Sequence, residues 1–128
     1  MDKHAQVARA NLARAGLEKK VEIRVGQALD TLPTLQGPFD LSFIDADKQS
    51  NPEYFAWALK LSRPGSLIVV DNVVRDGKVI DARSRDASVQ GVRRLNDLIA
   101  AEKRVSATAL QTVGVKGYDG FAVALVSG

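Results

Sequence analysis

The sequence predicts an α/β fold: a doubly wound, mostly parallel sheet with helices on both faces and an antiparallel hairpin at its C-terminal end. Segments with apolar residues at helical spacing alternate with short segments typical of strands. The strand at 66–71 is nearly all apolar, as expected where both faces of a sheet are covered. The first predicted element is a helix that no strand precedes, so we expect the sheet to be incomplete at its N-terminal side.

The first part of the chain is predicted to contain two helical segments and two strands. Apolar residues at helical spacing indicate a helix over 3–15, which Gly16 ends. Residues 21–25 alternate between apolar and polar, as a half-buried strand does. A short helical turn at 28–32 precedes the second strand, which covers 39–45.

The rest of the chain is predicted to continue the alternation. Asn51 as N-cap and Pro52 at the first helical position begin a helix that ends near 63–65. The later elements, in order, are a strand at 66–71, a loop at 75–84, a helix at about 86–103, a strand at 106–113, a glycine-rich turn at 114–120 and a last strand at 121–126. That final hairpin is expected to place one antiparallel strand at the edge of the sheet. No domain boundary is evident, so residues 1–128 are predicted to form one domain.

The composition is that of an ordinary globular protein, with 45% hydrophobic and 26% charged residues among 128. The net charge is +3, but the basic residues are scattered and lack the aromatic neighbours of single-strand binders, so no nucleic-acid partner is predicted. The chain has no cysteine, which excludes disulfides and thiolate metal sites and suits a cytoplasmic protein. No signal peptide or membrane-spanning run is visible, so no membrane partner is expected.

Acidic residues end two of the predicted strands. Asp45 follows the strand at 39–45, and Asp71 closes the strand at 66–71 with Asn72 directly after it. In open α/β sheets, ligands bind beyond the carboxyl ends of the strands, and neighbouring strands lie ~4.8 Å apart. Two carboxylates and an amide oxygen are hard ligands that suit Mg²⁺ or another divalent cation. The alternative is that both acids only cap the loops that follow them.

Lys48 follows Asp45 by three residues and is a candidate base. A lysine that lies beside a metal and is partly removed from water can take a proton from a hydroxyl group. The alternative is a solvated surface lysine, which is the usual state of an isolated one.

Several segments, in this order and spacing, resemble the cation-dependent caffeoyl-CoA and catechol O-methyltransferase family. They are H-A-Q-V-A-R-A-N-L-A-R-A-G-L (4–17), F-D-L-S-F-I-D-A-D-K (39–48), P-E-Y-F (52–55), L-I-V-V-D-N-V-V-R-D-G-K-V (67–79) and G-Y-D-G-F-A-V-A-L (117–125). The resemblance covers essentially the whole chain and implies a Rossmann-like methyltransferase fold. It also implies transfer of a methyl group from S-adenosylmethionine to a hydroxyl. The expected acceptor is one of two vicinal hydroxyls on a catechol-type small molecule.

The resemblance assigns roles to individual residues. It implies metal ligands at Asp45, Asp71 and Asn72, and a catalytic base at Lys48. Gly26, Gln27 and Ala28 match the segment that touches the adenine of S-adenosylmethionine, and Asp45 would also lie near the sulfonium end of the cofactor. Family acceptors include catechols, caffeoyl thioesters and a hydroxylated tRNA base, and the sequence does not distinguish among them.

The chain also departs from the family pattern. Gln27-Ala28 stands where the family more often has Asp-Ala, and Gly65-Ser66 replaces Gly-Gly. The family's first strand, its glycine-rich loop and the acid that binds the ribose have no counterpart. An alternative function is therefore a truncated, non-catalytic remnant that covers its exposed sheet by forming a homodimer. A phosphoacceptor receiver domain, which also places an Asp at a strand end, fits poorly because Lys48 lies in the wrong place.

Overall fold

The computed structural model describes residues 2–115 and 117–128. It divides into two compact units, Met1–Leu35 and Gln36–Gly128. The helices and strands, in chain order, are α1 (Asp2–Arg14), α2 (Ala28–Thr31), β1 (Phe39–Ile44), α3 (Asn51–Lys60), β2 (Ser62–Asp71), α4 (Ala87–Ala101), β3 (Val105–Gly114) and β4 (Gly117–Val126). Short 3₁₀ turns lie at Leu32–Thr34, Lys48–Ser50 and Lys78–Ile80.

The first unit contains α1 and α2 but not the strand that we predicted at 21–25. Within the described residues this segment pairs with no strand. The Ile23 carbonyl accepts a hydrogen bond from the Arg9 guanidinium at 3.3 Å, and the Arg24 guanidinium donates to the Glu22 and Thr34 side chains. Alternation shows which side of an extended segment is apolar, but a strand also needs a neighbour to share its backbone hydrogen bonds. The prediction of a strand here is therefore wrong for this chain.

The second unit is built on a four-stranded sheet in the order β1-β2-β4-β3. β1 and β2 are parallel, whereas β4 is antiparallel to both of its neighbours, β2 and β3. Three strands therefore run in one direction and β4 runs in the other. The α/β class and the C-terminal hairpin are confirmed, but the antiparallel strand is not at the edge as we predicted.

Residue size explains why β4 lies inside the sheet and β3 at its edge. Along β4, Ala122, Ala124 and Val126 are buried, and two of these side chains are small enough for helices to pack closely above them. Nearly every residue of β3 is exposed, and many are polar. An exposed polar strand is tolerated at an edge, where charges and hydroxyls discourage pairing with other chains.

Several predicted boundaries differ from the structure. The helix α3 ends at Lys60, and the polar start of β2 extends the strand back to Ser62, where it pairs with Phe39. Ser50, not Asn51, is the N-cap of α3. The glycine-rich turn predicted at 114–120 is shorter, because β4 already begins at Gly117; Lys116, inside that turn, lies outside the described residues.

The two faces of the sheet differ in their covering. One face carries Ile68 and Val70, which are fully buried together with Phe55 of α3 and Leu95 of α4. The opposite face stays open, and we call it the exposed sheet face. Cross-strand partners lie on the same face, and the apolar residues of this face that are exposed are Leu41, Phe43, Leu67, Leu110 and Leu125.

Candidate functional site

The two strand-terminal acids stand at matching positions on neighbouring strands. Ile44, the last residue of β1, pairs with Val70 of β2 in parallel register. Asp45 and Asp71 are the next residues on their strands. The two strands are neighbours, and both acids lie at the carboxyl end of the sheet.

Asp71 and Asn72 form a tight local unit. The Asn72 backbone amide donates a hydrogen bond to Asp71 Oδ1 at 2.7 Å. Asn72 has a φ of 60°, a left-handed conformation that asparagine tolerates better than most residues. The strand therefore ends at Asp71, and the chain reverses at Asn72.

Lys48 is buried, with only 7% of its surface exposed, so it is not the solvated lysine of the alternative interpretation. Its Nζ donates to Asp45 Oδ1 at 3.0 Å. Lys48 begins the 3₁₀ turn that leads into α3, and this turn directs the side chain back toward the end of β1. The structure thus brings Lys48 and Asp45 into direct contact.

Helix α4 supports the turn that carries Lys48. A Cβ atom on Gly91 would lie 2.1 Å from the Lys48 carbonyl oxygen, so the helix backbone packs directly on the turn. The Arg94 guanidinium, one helical turn later, donates to the Gln49 carbonyl at 3.0 Å. Together these contacts fix the backbone from which Lys48 projects.

Asp47, between Asp45 and Lys48, is anchored to the start of α3. Hydrogen bonds from the Ser50 and Tyr54 hydroxyls lower the pKa of the Asp47 carboxyl group. Burial, and then the bond to Asp47, raise the pKa of Tyr54. The proton of this pair therefore stays on the tyrosine, and the carboxylate stays charged.

The residues at the carboxyl end of the sheet fit a hard divalent cation. The hydrogen bonds found in the described part of the chain occupy only Oδ1 of Asp45 and Oδ1 of Asp71, which leaves the second oxygen of each carboxylate for a ligand. Among the same residues, no group of three or more His, Asp or Glu side chains could hold a metal. Any metal here would need the Asn72 amide oxygen as a third protein ligand, and carboxylate and amide oxygens are what Mg²⁺ and Ca²⁺ prefer.

A cleft of about 470 Å³ borders Asn72 and is open to solvent. It lies between the loop after β2 and the turn of the β3–β4 hairpin. The side chains and backbone that line it belong to Asn72, Asp76, Thr112, Gly114, Val115, Gly117, Tyr118 and Asp119. A small molecule bound there would be next to the proposed metal ligand Asn72.

The predicted cofactor residues lie in the first unit, where Gln27 is the N-cap of α2. Gly26 has a φ of 151°, which residues with a side chain rarely adopt. The Gln27 carbonyl accepts hydrogen bonds from the amides of Asp30 and Thr31, both at 3.2 Å. The adenine contact at Gly26, Gln27 and Ala28 stays a prediction.

Sequence reasoning missed three residues that shape this site. Gly91 lies in the interior of a helix, where glycine is disfavoured. Its presence there could have indicated close packing against another element. Tyr54 lies seven residues after its partner Asp47, a separation that no simple pattern marks. Asn51 is fully buried, and its side-chain amide has no hydrogen-bond partner among the described residues.

No helix in residues 2–115 and 117–128 is both long and apolar enough to cross a membrane. A sequence profile of the O-methyltransferase family matches residues 1–124. The chain is 59% identical to a catechol O-methyltransferase of Niastella koreensis over an alignment 128 residues long, which covers 97% of this chain and 58% of that protein. It therefore spans little more than half the length of that relative.

Solved structures give the same result. An O-methyltransferase from Bacillus cereus in complex with SAH is 62% identical, with a TM-score of 0.96 over 99% of this chain and 60% of that one. The O-methyltransferase TomG from Streptomyces achromogenes, involved in tomaymycin synthesis and solved with SAM, is 55% identical, with a TM-score of 0.97 over 100% of this chain and 59% of that one. The identities, the matched span and the shared architecture all agree, and the chain belongs to the O-methyltransferase family.

Proposed function

We propose that this chain carries the metal-binding and proton-accepting part of an S-adenosylmethionine-dependent O-methyltransferase. The observation that carries the proposal is the buried Lys48 side chain in contact with Asp45, beside a second acid, Asp71, on the adjacent strand. A buried lysine is uncommon unless it is paired, and one that touches a strand-terminal acid in an open α/β sheet marks a functional site. Relatives solved with SAM and SAH support the choice of cofactor.

Asp45, Asp71 and Asn72 would hold a divalent cation such as Mg²⁺. When bound, the cation supplies Lewis acidity, which lowers the pKa of a coordinated hydroxyl. The chain's own contribution is to fix the three ligands on two neighbouring strands. We propose a vicinal diol of the catechol type as acceptor, because two adjacent oxygens match a cation with open positions and because a relative is named for catechol.

Lys48 would accept the proton of the reacting hydroxyl. S-adenosylmethionine supplies a methyl group on a sulfonium sulfur; the S–CH₃ bond breaks as the O–CH₃ bond forms, and the products are a methyl ether and S-adenosylhomocysteine. Burial keeps Lys48 away from bulk water, and Asp45 holds its Nζ in place at 3.0 Å. Most of the acceleration would come from alignment of the two reactants.

The contacts that we propose for S-adenosylmethionine follow from the resemblance to the family. We propose that Gly26, Gln27 and Ala28 contact the adenine, while Asp45 lies near the sulfonium end. The Gln27 side chain makes no capping bond to α2, so its amide is not committed to the helix start.

The test uses a chimera that joins these 128 residues to the segment of the Bacillus cereus enzyme that has no counterpart here. We expect Mg²⁺-dependent methylation of a catechol, abolished by EDTA. In this chimera Lys48→Ala should lower turnover by about 10²–10⁴-fold, the usual contribution of a general base, with little change in S-adenosylmethionine affinity.

Lys60→Ala is the matched control, because Lys60 is exposed on α3 and its Nζ lies over the Trp57 ring, 4.5 Å from the centroid. Its turnover should match that of the unaltered chimera. Equal losses of turnover and cofactor affinity in Lys48→Ala would reject the base role. Full activity in EDTA would reject the metal.

A further inference from the structure

The loop that follows the proposed metal ligands has an unusual backbone. Asn72, Arg75 and Asp76 have φ values of 60°, 56° and 54°, so three non-glycine residues within five adopt the left-handed conformation. Such conformations are sparsely populated and persist only where surrounding contacts hold them. The contacts that hold this loop therefore decide where Asn72 stands.

One side chain on the neighbouring strand binds two backbone amides of this loop. Asp119 of β4 accepts hydrogen bonds at Oδ1 from the backbone amides of Val74 and Arg75, each at 3.0 Å. The same oxygen accepts the amide of Gly120 at 2.9 Å. Bonds from amides to a charged carboxylate are stronger than those between neutral groups.

Gly120 brings the loop into direct contact with β4. The Val73 amide donates to the Gly120 carbonyl at 3.0 Å. A Cβ atom on Gly120 would lie 2.7 Å from Val74 Cγ2 and 2.3 Å from the Leu110 carbonyl oxygen, so no larger residue fits. The loop thus rests on the backbone of β4, with the Asp119 carboxylate beneath its amides.

These contacts fix Asn72 from both sides. Asp71 before it is held in the sheet by its pairing with Phe121, and Val73 after it is held by Gly120. With the next two amides bound to Asp119, the loop cannot rotate at Asn72 without breaking several hydrogen bonds.

We propose that Asp119 is a positioning residue for the metal site: it holds the 72–75 loop so that Asn72 presents its amide oxygen beside Asp45 and Asp71. This inference rests on the metal site of the proposed function. Asp119 acts through the loop backbone and is not itself counted among the ligands. Groups that orient metal ligands commonly change metal affinity as strongly as some ligands do.

The test is Mn²⁺ binding to the full 128-residue chain, measured by electron paramagnetic resonance of the free ion. We expect Asp119→Ala to weaken Mn²⁺ binding by roughly 10–100-fold, the range for outer-shell partners. Asp119→Asn keeps an oxygen that can accept the same amides, so it should restore most of the affinity. Circular dichroism of each variant shows that the measured chain is folded.

Asp86→Ala is the matched control. Asp86 also accepts two backbone amides, from Ser88 at 2.8 Å and Val89 at 3.4 Å, but it caps α4 instead of holding this loop. It should lower stability without changing Mn²⁺ affinity.

The possible failures are distinct. If the unaltered chain and all variants fail to bind Mn²⁺, the metal site of the proposed function is wrong, and this inference falls with it. If the unaltered chain binds and Asp119→Ala, folded by circular dichroism, binds equally well, only the positioning role is wrong. If Asp119→Ala does not fold, Asp119→Ser decides, because its shorter side chain cannot hold both loop amides: weakened Mn²⁺ binding by a chain folded by circular dichroism supports the positioning role, whereas binding equal to that of the unaltered chain overturns it.

Discussion

At the scale of single residues, the pair of Tyr54 and Asp47 ties the segment between Asp45 and Lys48 to helix α3. The tyrosine hydroxyl donates to the carboxylate, and both residues have shifted pKa values. The Asp47 carboxyl has its pKa lowered, first by Ser50 and then by Tyr54, so its contribution to stability is present above the ordinary pKa of 3.8. That contribution is lost as the pH falls through the folded-state pKa.

We expect Tyr54→Phe to reduce this acid sensitivity without abolishing it, because the larger effect, from Ser50, remains. At high pH the sign is the opposite. The Tyr54 pKa is raised above 10.0, so the unaltered chain loses stability as the pH rises through the folded-state value, and Tyr54→Phe should not show this loss. Urea unfolding between pH 3 and about 11 spans the ordinary pKa values of both groups. It measures the loss of stability at low pH and at high pH.

Tyr118→Phe provides the comparison. The Tyr118 hydroxyl donates to a backbone carbonyl, that of Asp76, at 2.8 Å, and not to a carboxylate. This variant should lose stability at low pH in the same way as the unaltered chain. Superimposable pH profiles for Tyr54→Phe and the unaltered chain would show that the Asp47 bond does not contribute to stability.

At the scale of elements, the contact between α4 and the Lys48 turn depends on one missing side chain. Alanine is favoured over glycine in a helix by about 1 kcal/mol. A methyl group on Gly91, however, would lie 2.1 Å from the Lys48 carbonyl, and overpacking of this kind costs about 1–3 kcal/mol. We expect the steric clash to outweigh the gain in helix propensity, because the Lys48 carbonyl oxygen belongs to the backbone and cannot move away by a side-chain rotation.

We therefore expect Gly91→Ala to lower the free energy of unfolding by up to about 2 kcal/mol, the difference between these two effects. It should also displace Lys48 and so reduce turnover in the chimera. Asn96→Ala, at an exposed position of the same helix, should be neutral or slightly stabilising because it meets no such contact. Urea unfolding compares them, and a Gly91→Ala chain more stable than the unaltered one would contradict the packing argument.

The sequence predicted the elements better than their arrangement. The acids at 45 and 71 were predictable because acids that end two apolar strands of an open sheet share one edge. The position of β4 was not, because a hairpin can fold either way, and only the small buried side chains at Ala122 and Ala124 mark it as internal. The prediction of a strand at 21–25 was wrong for a related reason: alternation of apolar and polar residues does not show whether another strand is there to pair with.

The hydrogen bonds by which Asp119 holds the 72–75 loop could not be predicted from the sequence either. Its acceptors and donors are separated by 44 and 45 residues, and the bonds run to backbone amides, which leave no trace in residue identity. Burial of Lys48 was suggested only by its neighbours in the sequence. Contacts of this kind are set by tertiary packing, which local patterns do not encode.

At the scale of the whole molecule, the exposed sheet face is the main unfavourable feature, because its apolar side chains are in contact with water. Leu41 is 58% exposed and Phe43 is 61% exposed, and Leu67, Leu110 and Leu125 continue the same surface. Ile44 points to the other face and is buried. At ~25 cal/mol per Å², several hundred Å² of wet apolar surface cost on the order of 10 kcal/mol, comparable with the stability of a domain.

We expect the 128-residue chain to associate with a second copy through the exposed sheet face. Sedimentation at micromolar concentration should show a dimer, and Phe43→Glu should shift it to monomer. Ile80→Glu is the control, because Ile80 is apolar and 85% exposed but lies outside the sheet. A monodisperse monomer with a cooperative melt would refute the argument.

The place of β4 between β2 and β3 also constrains the order in which the molecule can be made. A ribosome emits the chain from the N-terminus, and β2 and β3 leave before the strand that joins them. Until residues 117–126 have emerged, β2 has a single neighbour and β3 has none within this sheet. Asp119 and Gly120 arrive in that same last stretch. The carboxylates at the strand ends are thus translated early, but the loop that carries Asn72 gains its support only when synthesis of this region is nearly finished.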